Sequence, residues 1–215
     1  MKRFLLLALL AAAPSVAPAQ MYLPPVDRCA SDRSFVAFRN ALNAAIARRD
    51  AAFILAHVSD DVIYPNAING SRAGFARYWG LDRPERSRLW RELRAVLRLG
   101  CARDEIGQLW VPAANLPQAD GTDAMSFREI AVPIVPRLPL RAAPSDTGPI
   151  LARLRWDALT TPEHDDGRGA WVHVWDAHDR EGWVRRSQIR QLTDYAAVFE
   201  KRRGGWLLTS FIQGD

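Results

Sequence analysis

The sequence predicts an α+β protein in two parts, a helical part with a curved sheet and a small all-β barrel. Three observations predict this class. Apolar residues recur at helical spacing between Ser31 and Gly100, and short strand-like runs alternate with Pro, Gly and Asp between Ile130 and Leu192. The last segment, YAAVFEKRRGGWLLTSFIQGD, predicts a hairpin. A lone hairpin is unstable, so this one must join a sheet built elsewhere in the chain.

The N-terminal segment has the pattern of a secretory signal peptide. Two basic residues precede the apolar run FLLLALLAAA, and Ala17-Pro18-Ala19 offers small residues where a signal peptidase reads. We expect residues 1–19 to be removed after Ala19, which predicts an exported protein, periplasmic or secreted. Nothing downstream approaches the roughly 18 consecutive apolar residues of a spanning helix, so we expect a chain that is not membrane-embedded.

The charge balance argues against a nucleic-acid partner. Without Lys2 and Arg3 the 29 basic residues become 27, against 24 acidic residues. The arginines are spread along the chain beside acids, whereas nucleic-acid-binding proteins concentrate them. A mildly basic exported protein is instead compatible with the anionic polymers of a cell envelope.

Two cysteines, Cys29 and Cys101, are present. In an oxidising compartment an even number suggests a disulfide, which would tie the start of the mature domain to the end of a predicted helix at Leu99-Gly100. Two alternatives are free inert thiols and a catalytic Cys101. Catalysis would require a paired His, and the sequence shows no such pairing.

The helical part begins where Ser31 or Asp32 can cap a helix. Its apolar positions are Phe35, Phe38, Leu42, Ala45 and Ile46. A second short helix is predicted to extend to Val58, followed by a strand and turn in DDVIYPNAINGS and by helices in GFARYWGL and SRLWRELRAVLRLGC. The last helix has a basic stripe, which is ordinarily a solvated face and alternatively an anion-binding one. The stripe consists of Arg88, Arg91, Arg94 and Arg98.

The all-β part, residues 130–192, resembles the bacterial SH3 domain. The family pattern is an apolar-x-apolar-Arg-x-x-Pro-Ser strand and turn, a second apolar strand, a Trp-bearing strand and a Gly-Trp-Val strand. Here the matching residues are Leu138, Leu140, Arg141, Pro144, Ser145, Ile150, Leu154, Trp171, Val172, Gly182, Trp183 and Val184. One departure is Arg155-Trp156-Asp157, where the family commonly has a Lys-Gly turn.

This resemblance implies a small barrel and an envelope ligand such as peptidoglycan or its peptides. Inward positions alternate along the strands of such a barrel. The expected interior consists of Leu138, Leu140, Ile150, Leu154, Leu159, Val172, Val174 and Val184.

The flanking parts, residues 30–128 with 193–215, are similar to the NTF2-like fold. The likeness depends on the Arg48-Arg49-Asp50 turn, a strand at Val62, the helix start Gly70, Gly74 and Phe75, and the closing strand from Trp206 to Phe211. The SH3-like block would then be inserted in a discontinuous domain, which is feasible because the termini of small domains often lie close together.

Aromatic residues mark the candidate ligand site. Alternation along WVHVWD places Trp171, His173 and Trp175 on one face and the valines on the other. With the valines inside, the candidate ligand-binding residues are Trp171, His173, Trp175, Trp183 and Arg141. Two structural alternatives remain. Trp171 and Trp183 can cover the open end of the barrel, and Arg141 can clamp a turn set by Pro144.

Other chemistry is sparse in the sequence. The His- and Asp-bearing stretches His164-Asp165-Asp166 and His178-Asp179 are turn-like, so we expect no metal site, and we expect no cofactor. Asp61 and Tyr64, beside Asp60, form the one acid-plus-phenol set near a predicted strand. A carboxylate in an apolar cavity can have a raised pKa and act as a general base, although Asp60 and Asp61 also suit a turn.

The leading hypothesis is an exported, non-enzymatic binding protein. Its SH3-like domain would bind a cell-wall polymer or peptide. Two rival hypotheses are an isomerase or hydrolase with its site in the cone of the α+β domain, and an inhibitor or assembly factor that docks on another exported protein.

Overall fold

A computed structural model describes residues 22–67, 70–115, 129–162, 165 and 167–214. It is an α+β structure with two sheets, as the sequence predicts. The proposed signal peptide and the predicted loop LPQADGTDAM lie outside the described residues.

The described α-helices are all in the first part of the chain. They are α1 (Arg33–Arg48), α2 (Ala51–Ala56), α3 (Arg72–Tyr78) and α4 (Leu89–Leu97). Side-chain caps begin three of them: Asp32 accepts from the amides of Ser34 and Phe35, and Asp50 and Ser71 cap the next two. Among the described residues, no helix is long and apolar enough to cross a membrane.

The first sheet has five strands in the order β1-β12-β11-β3-β2. They are β1 (Val58–Ile63), β2 (Ala102–Arg103), β3 (Leu109–Val111), β11 (Ala196–Arg202) and β12 (Gly205–Ile212). The predicted hairpin is confirmed as β11 and β12, and β1 pairs with β12 in parallel. Val58, expected in the second helix, instead begins β1 opposite Leu208, since pairing with β12 overrides the local helical pattern.

The four helices and this sheet form what we call the helical lobe. Its core contains large rings, with the centroids of Phe35 and Phe199 5.6 Å apart and those of Trp79 and Phe211 5.2 Å apart. Cys29 and Cys101 are disulfide-bonded at the edge of this core, with a Cα–Cα distance of 5.6 Å. The predicted pairing is therefore confirmed, and both ends of the bridge belong to the same lobe.

The second sheet, which we call the strand lobe, has seven strands in the order β10-β4-β7-β8-β9-β5-β6. They are β4 (Ile130–Pro133), β5 (Leu138–Arg141), β6 (Ile150–Leu154), β7 (Leu159–Thr160), β8 (Trp171–Trp175), β9 (Glu181–Arg185) and β10 (Ile189–Gln191). Its described strands do not form a closed barrel. At Trp156, whose φ is 60°, the chain bends, so β6 stays paired with β5 while β7 pairs with β4 and β8.

The core of the strand lobe is aliphatic. It consists of Ala131, Leu138, Leu140, Leu154, Leu159, Val172, Val174, Val184 and Ile189. Ile150, expected inside, is 40% exposed, so that expectation is wrong. The register shifts between Leu140 and Arg141, and this irregularity ends the alternation that would have turned Ile150 inward.

The chain passes from the first sheet to the second after β3 and returns at β11. Near the return, the Asn115 side-chain amide donates to the Leu192 carbonyl at 2.6 Å. The N-terminal segment also bridges the lobes, because the Leu23 amide donates to the Trp156 carbonyl at 2.9 Å and the Arg28 amide donates to the Cys101 carbonyl at 2.7 Å. These contacts fix the strand lobe against the helical lobe.

Candidate functional site

Strand β8 presents a row of polar and aromatic side chains on the outer face of the strand lobe. Trp171, His173 and Trp175 are half-buried, whereas Val172 and Val174 are buried in the core. The alternation expected from the sequence is confirmed. Valine fits the narrow interior of a curled sheet, and the rings lie outside.

Pairing with β9 brings Trp183 into the same surface. Trp183 lies opposite His173, with ring centroids 5.0 Å apart, and the ring of His173 is 4.8 Å from that of Trp175. An imidazole therefore lies between two indoles. We call the set Trp171, His173, Trp175 and Trp183 the aromatic face.

Gly182 allows β9 to approach β5 closely. A Cβ at this position would lie 2.8 Å from the Arg141 carbonyl oxygen and 2.8 Å from Cδ1 of Leu140. A glycine is therefore required, and its neighbour Trp183 pairs with Arg141 across the two strands. The Gly-Trp-Val motif thus positions one ring of the aromatic face.

Arg141 holds the turn after β5. Its Nη1 donates to the Gly148 carbonyl at 2.7 Å, and the Ala142 amide donates to the Pro149 carbonyl at 3.0 Å. The clamp considered from the sequence is therefore observed. Arg141 still pairs with Trp183, so it also borders the aromatic face.

Arg185 occupies one end of the aromatic face. Its guanidinium lies 4.5 Å from the centroid of the Trp171 ring, and its Nε donates to Oδ1 of Asp146 at 3.0 Å. The hydrogen bond from Arg185, aided by the charges of Arg185 and Arg141, lowers the pKa of Asp146. One face of Trp171 is covered by this internal pair, whereas Trp175, His173 and Trp183 form the continuous part of the aromatic face.

The turn from β8 to β9 is organised by Asp176, which sequence reasoning missed. Asp176 is 5% exposed, and its Oδ1 accepts from the amides of His178 at 2.9 Å and Arg180 at 3.0 Å. Its Oδ2 accepts from the Arg180 Nε at 2.8 Å. Burial raises the pKa of Asp176, but the hydrogen bonds from Arg180 and the two amides outweigh it, so the pKa is lowered overall. The sequence signal for this turn was Asp176, which directly follows Trp175 and lies four residues before Arg180.

The stretches considered for metal binding have structural roles. The His178 amide donates to the carboxylate that organises the turn, and Asp165 accepts from Nη1 and Nη2 of Arg186, both at 2.7 Å. His164 and Asp166 lie outside the described residues. Within the described part of the chain, the one grouping of ligand-type side chains is Asp27 with the two disulfide-bonded cysteines, whose sulfurs are already used.

Asp61 and Tyr64 are not brought together in an apolar cavity. The Asp61 side chain is 72% exposed and accepts from Ser59 and Arg202, and the Ser59 hydroxyl is the main cause that lowers its pKa. Tyr64 packs on the helical core, with its ring 5.6 Å from that of Tyr78. Asp60 is exposed and paired with Arg72 at 3.1 Å. The raised pKa expected for a general base is therefore not found at Asp61.

The space between the helices and the first sheet is small. A cavity of about 10 Å³, room for about one water molecule, lies there. It is lined by Phe38, Leu42, Ile54, His57, Val58, Leu93, Phe199 and Leu208. None of these lining residues is acidic. This cavity therefore lacks the carboxylate that the enzymatic hypothesis requires.

The chain matches no protein-family model, no curated protein and no solved structure.

Proposed function

We propose that this chain is an exported, non-enzymatic binding protein whose aromatic face binds a cell-envelope ligand such as peptidoglycan or its peptides. In this proposal the strand lobe is a bacterial SH3-like domain, residues 130–192. The helical lobe is an NTF2-like scaffold made from residues on both sides of it, and residues 1–19 are the signal that exports the protein.

The observation that carries the proposal is the packing of His173 between Trp175 and Trp183 on an outward sheet face. Aromatic side chains usually contribute most when buried, and the lobe's own core contains none of them. Flat rings stack on sugar rings and on peptide planes, and imidazole nitrogens orient polar groups. Such a surface is suited to an extended ligand with both apolar and polar edges.

Hydrogen bonds that hold the turns beside the aromatic face also support the proposal. Asp176 fixes the turn at one end of β8, and the bond of Arg141 to Gly148 fixes the turn after β5. A binding surface whose backbone is already fixed loses less conformational entropy when a ligand binds. The rigid strands, rather than mobile loops, present the aromatic face.

The enzymatic alternative is less well supported. Its main residue, Asp61, has a lowered pKa and an exposed side chain, and Tyr64 packs away from it on the helical core. A general base that works near neutral pH needs a pKa shifted in the other direction.

The proposal is tested by co-sedimentation of the mature protein with purified peptidoglycan at physiological salt. Trp175→Ala should weaken binding about thirtyfold, because truncating a central aromatic anchor typically costs about 2 kcal/mol. The matched control is Trp110→Ala, which removes a half-buried Trp from a strand of the helical lobe. It should bind like the wild type.

Two results would overturn the proposal. One is the absence of co-sedimentation by a folded wild-type protein. The other is an equal loss of binding in Trp175 and Trp110 variants that stay folded, since binding would then not depend on the aromatic face. Circular dichroism checks that each variant is folded.

A protein partner is a second candidate, favoured by β6, the last strand of its sheet among the described residues. Ile150 and Leu151 on this edge strand are 40% and 46% exposed. Exposed edge strands can accept an added strand from another protein. A stoichiometric complex with a purified exported protein, retained by Trp175→Ala and lost with Leu151→Lys, would favour docking over polymer binding.

A further inference from the structure

The loop between α3 and α4 lines a wide, open depression of about 430 Å³ on the helical lobe. Four arginines contribute to its lining, and Asp82 is the one carboxylate among its lining residues. The four are Arg77, Arg83, Arg86 and Arg88, and all are exposed. We call this surface the arginine pocket; it shares no residue with the aromatic face.

The positive charge of the arginine pocket is poorly neutralised. Among the described residues, the ion pairs of Arg83 and Arg86 are long contacts with the sequence neighbours Asp82 and Glu85, at 3.8 Å and 3.9 Å. Within the described residues, Arg77 has no ion pair or hydrogen bond from its side chain. Exposed pairs of this kind contribute little energy, so these guanidinium groups can bind an anion without losing a strong internal partner.

The backbone that carries these arginines is fixed. The Ser87 hydroxyl donates to the Trp79 carbonyl at 2.5 Å, and the Trp90 indole donates to the Pro84 carbonyl at 2.5 Å. Arg49 donates to the Glu85 carbonyl at 2.6 Å, which adds a further positive charge beside the loop. The loop is thus held from both sides, and less ordering is needed when a ligand binds.

Arg88 is held inside the pocket by aromatic rings. Its guanidinium lies 5.3 Å from the Tyr78 ring centroid and 5.1 Å from that of Trp79, and its Nη2 donates to the Tyr78 hydroxyl at 2.9 Å. One nitrogen is used in this way, and guanidinium has five N–H donors. The remaining donors of a positioned Arg88 are available to a ligand.

We propose that the arginine pocket binds a ligand that carries two or more phosphate groups. Guanidinium groups bind phosphate oxygens in a bidentate manner, and several of them around one concavity match a multiply charged anion better than a single carboxylate. Such phosphates can come from a soluble oligophosphate or from the headgroups of anionic lipids. The pocket gives the helical lobe a binding role of its own, beside that proposed for the strand lobe.

The experiment compares Arg83→Gln/Arg86→Gln with Arg137→Gln/Arg153→Gln. Both double variants remove two exposed positive charges, the second pair from the strand lobe. Titration calorimetry with tripolyphosphate tests the soluble source, and sedimentation with vesicles of phosphatidylglycerol against phosphatidylcholine tests the lipid source. The pocket variant should bind about tenfold more weakly or worse, because it loses charge-assisted hydrogen bonds, and the control variant should bind like the wild type.

Each outcome decides the proposal. Selective loss of tripolyphosphate binding in the pocket variant supports a soluble ligand, and selective loss of phosphatidylglycerol binding alone supports a headgroup. Equal weakening in both double variants, or no binding by the wild type to either probe, overturns the proposal. Unchanged melting temperatures exclude unfolding as the cause, and peptidoglycan binding through the aromatic face should be unaffected.

Discussion

The two lobes use their aromatic residues in opposite ways. In the helical lobe the large rings are inside, where Phe35, Phe75, Trp79, Phe199 and Phe211 are at most 2% exposed. In the strand lobe the core is aliphatic and the tryptophans of β8 and β9 are half-exposed on the outer face.

The difference follows from the space that each architecture encloses. Helices packed on a sheet leave a wide gap that large side chains fill at high density. A small curled sheet leaves room only for Val, Leu and Ile, so its rings must lie outside. Aromatic residues therefore stabilise the helical lobe, whereas in the strand lobe they remain available for recognition. The predictions below test this contrast, beginning with the largest effect.

Removing the disulfide should destabilise the helical lobe most. The cysteines are 72 positions apart, and a loop of this size contributes about 4 kcal/mol in the chain-entropy view. In Cys29→Ser/Cys101→Ser, hydrogen exchange should accelerate in α1 and β12 more than in β8 and β9. Reducing the wild-type protein with dithiothreitol is the control and should reproduce the effect. Equal acceleration in both lobes would contradict the separation of their stabilities.

Truncating an inner ring should cost far more stability than truncating an outer one. Phe199→Ala removes a fully buried ring that contacts Phe35 and Phe38, and should lower the free energy of unfolding by about 3 kcal/mol. Trp175→Ala should cost about 1 kcal/mol or less, since its side chain is already half-exposed. Urea denaturation measures both. Similar losses in the two variants would show that Trp175 is a core residue.

Neutralising Asp176 should destabilise the β8–β9 turn beside the aromatic face. Asp176→Asn weakens the hydrogen bonds that hold the β8–β9 turn and should cost about 2 kcal/mol at neutral pH. Because folding lowers the pKa of Asp176, this stabilisation is present above the unfolded-state value of about 3.9 and is lost as the pH falls through the lower folded pKa. Wild type and variant should therefore converge in stability in acid. A difference that is constant down to low pH would contradict this account.

Changing Asp61 should have the smallest effect. Its side chain is 72% exposed and its ion pair with Arg202 spans 3.4 Å, so Asp61→Asn should change the free energy of unfolding by no more than about 0.5 kcal/mol. Peptidoglycan binding should also be unchanged. A loss of turnover on any substrate in this variant would instead revive the enzymatic hypothesis.

Local patterns in the sequence predicted much of the fold. The cap at the start of α1, the hairpin of β11 and β12, and the outward row on β8 each depend on residues that lie close together in the chain. Such features obey fixed periods and capping chemistry, which a single sequence displays. A structural role for Arg141 was one of the two alternatives that the sequence offered, and its acceptor, Gly148, is seven residues away.

The errors came from strand pairings and spatial neighbours that a local pattern does not show. Val58 was predicted to be helical, but it pairs in parallel with β12. Ile150 was predicted to be buried, but the irregular pairing of β5 with β6 places it outside the core. Asp61, which the sequence offered either as a base in a cavity or as a turn residue, is an exposed acid that accepts from Arg202. The pKa and the burial of a side chain depend on the residues around it in space, and the sequence does not show which residues those are.

The sequence by itself determined the α+β class and the division between inward valines and outward rings on β8, because these follow from composition and short-range period. It also allowed one intramolecular pairing, that of Cys29 with Cys101, and the structure shows this bridge. Only the tertiary structure decided that the curled sheet stays open and that His173 packs between two indoles. It also brought four arginines together around one depression. In the sequence acids such as Glu85 lie beside these arginines, but Glu85 does not line the depression. Charge and ring packing act through space, and only the folded chain brings those groups together.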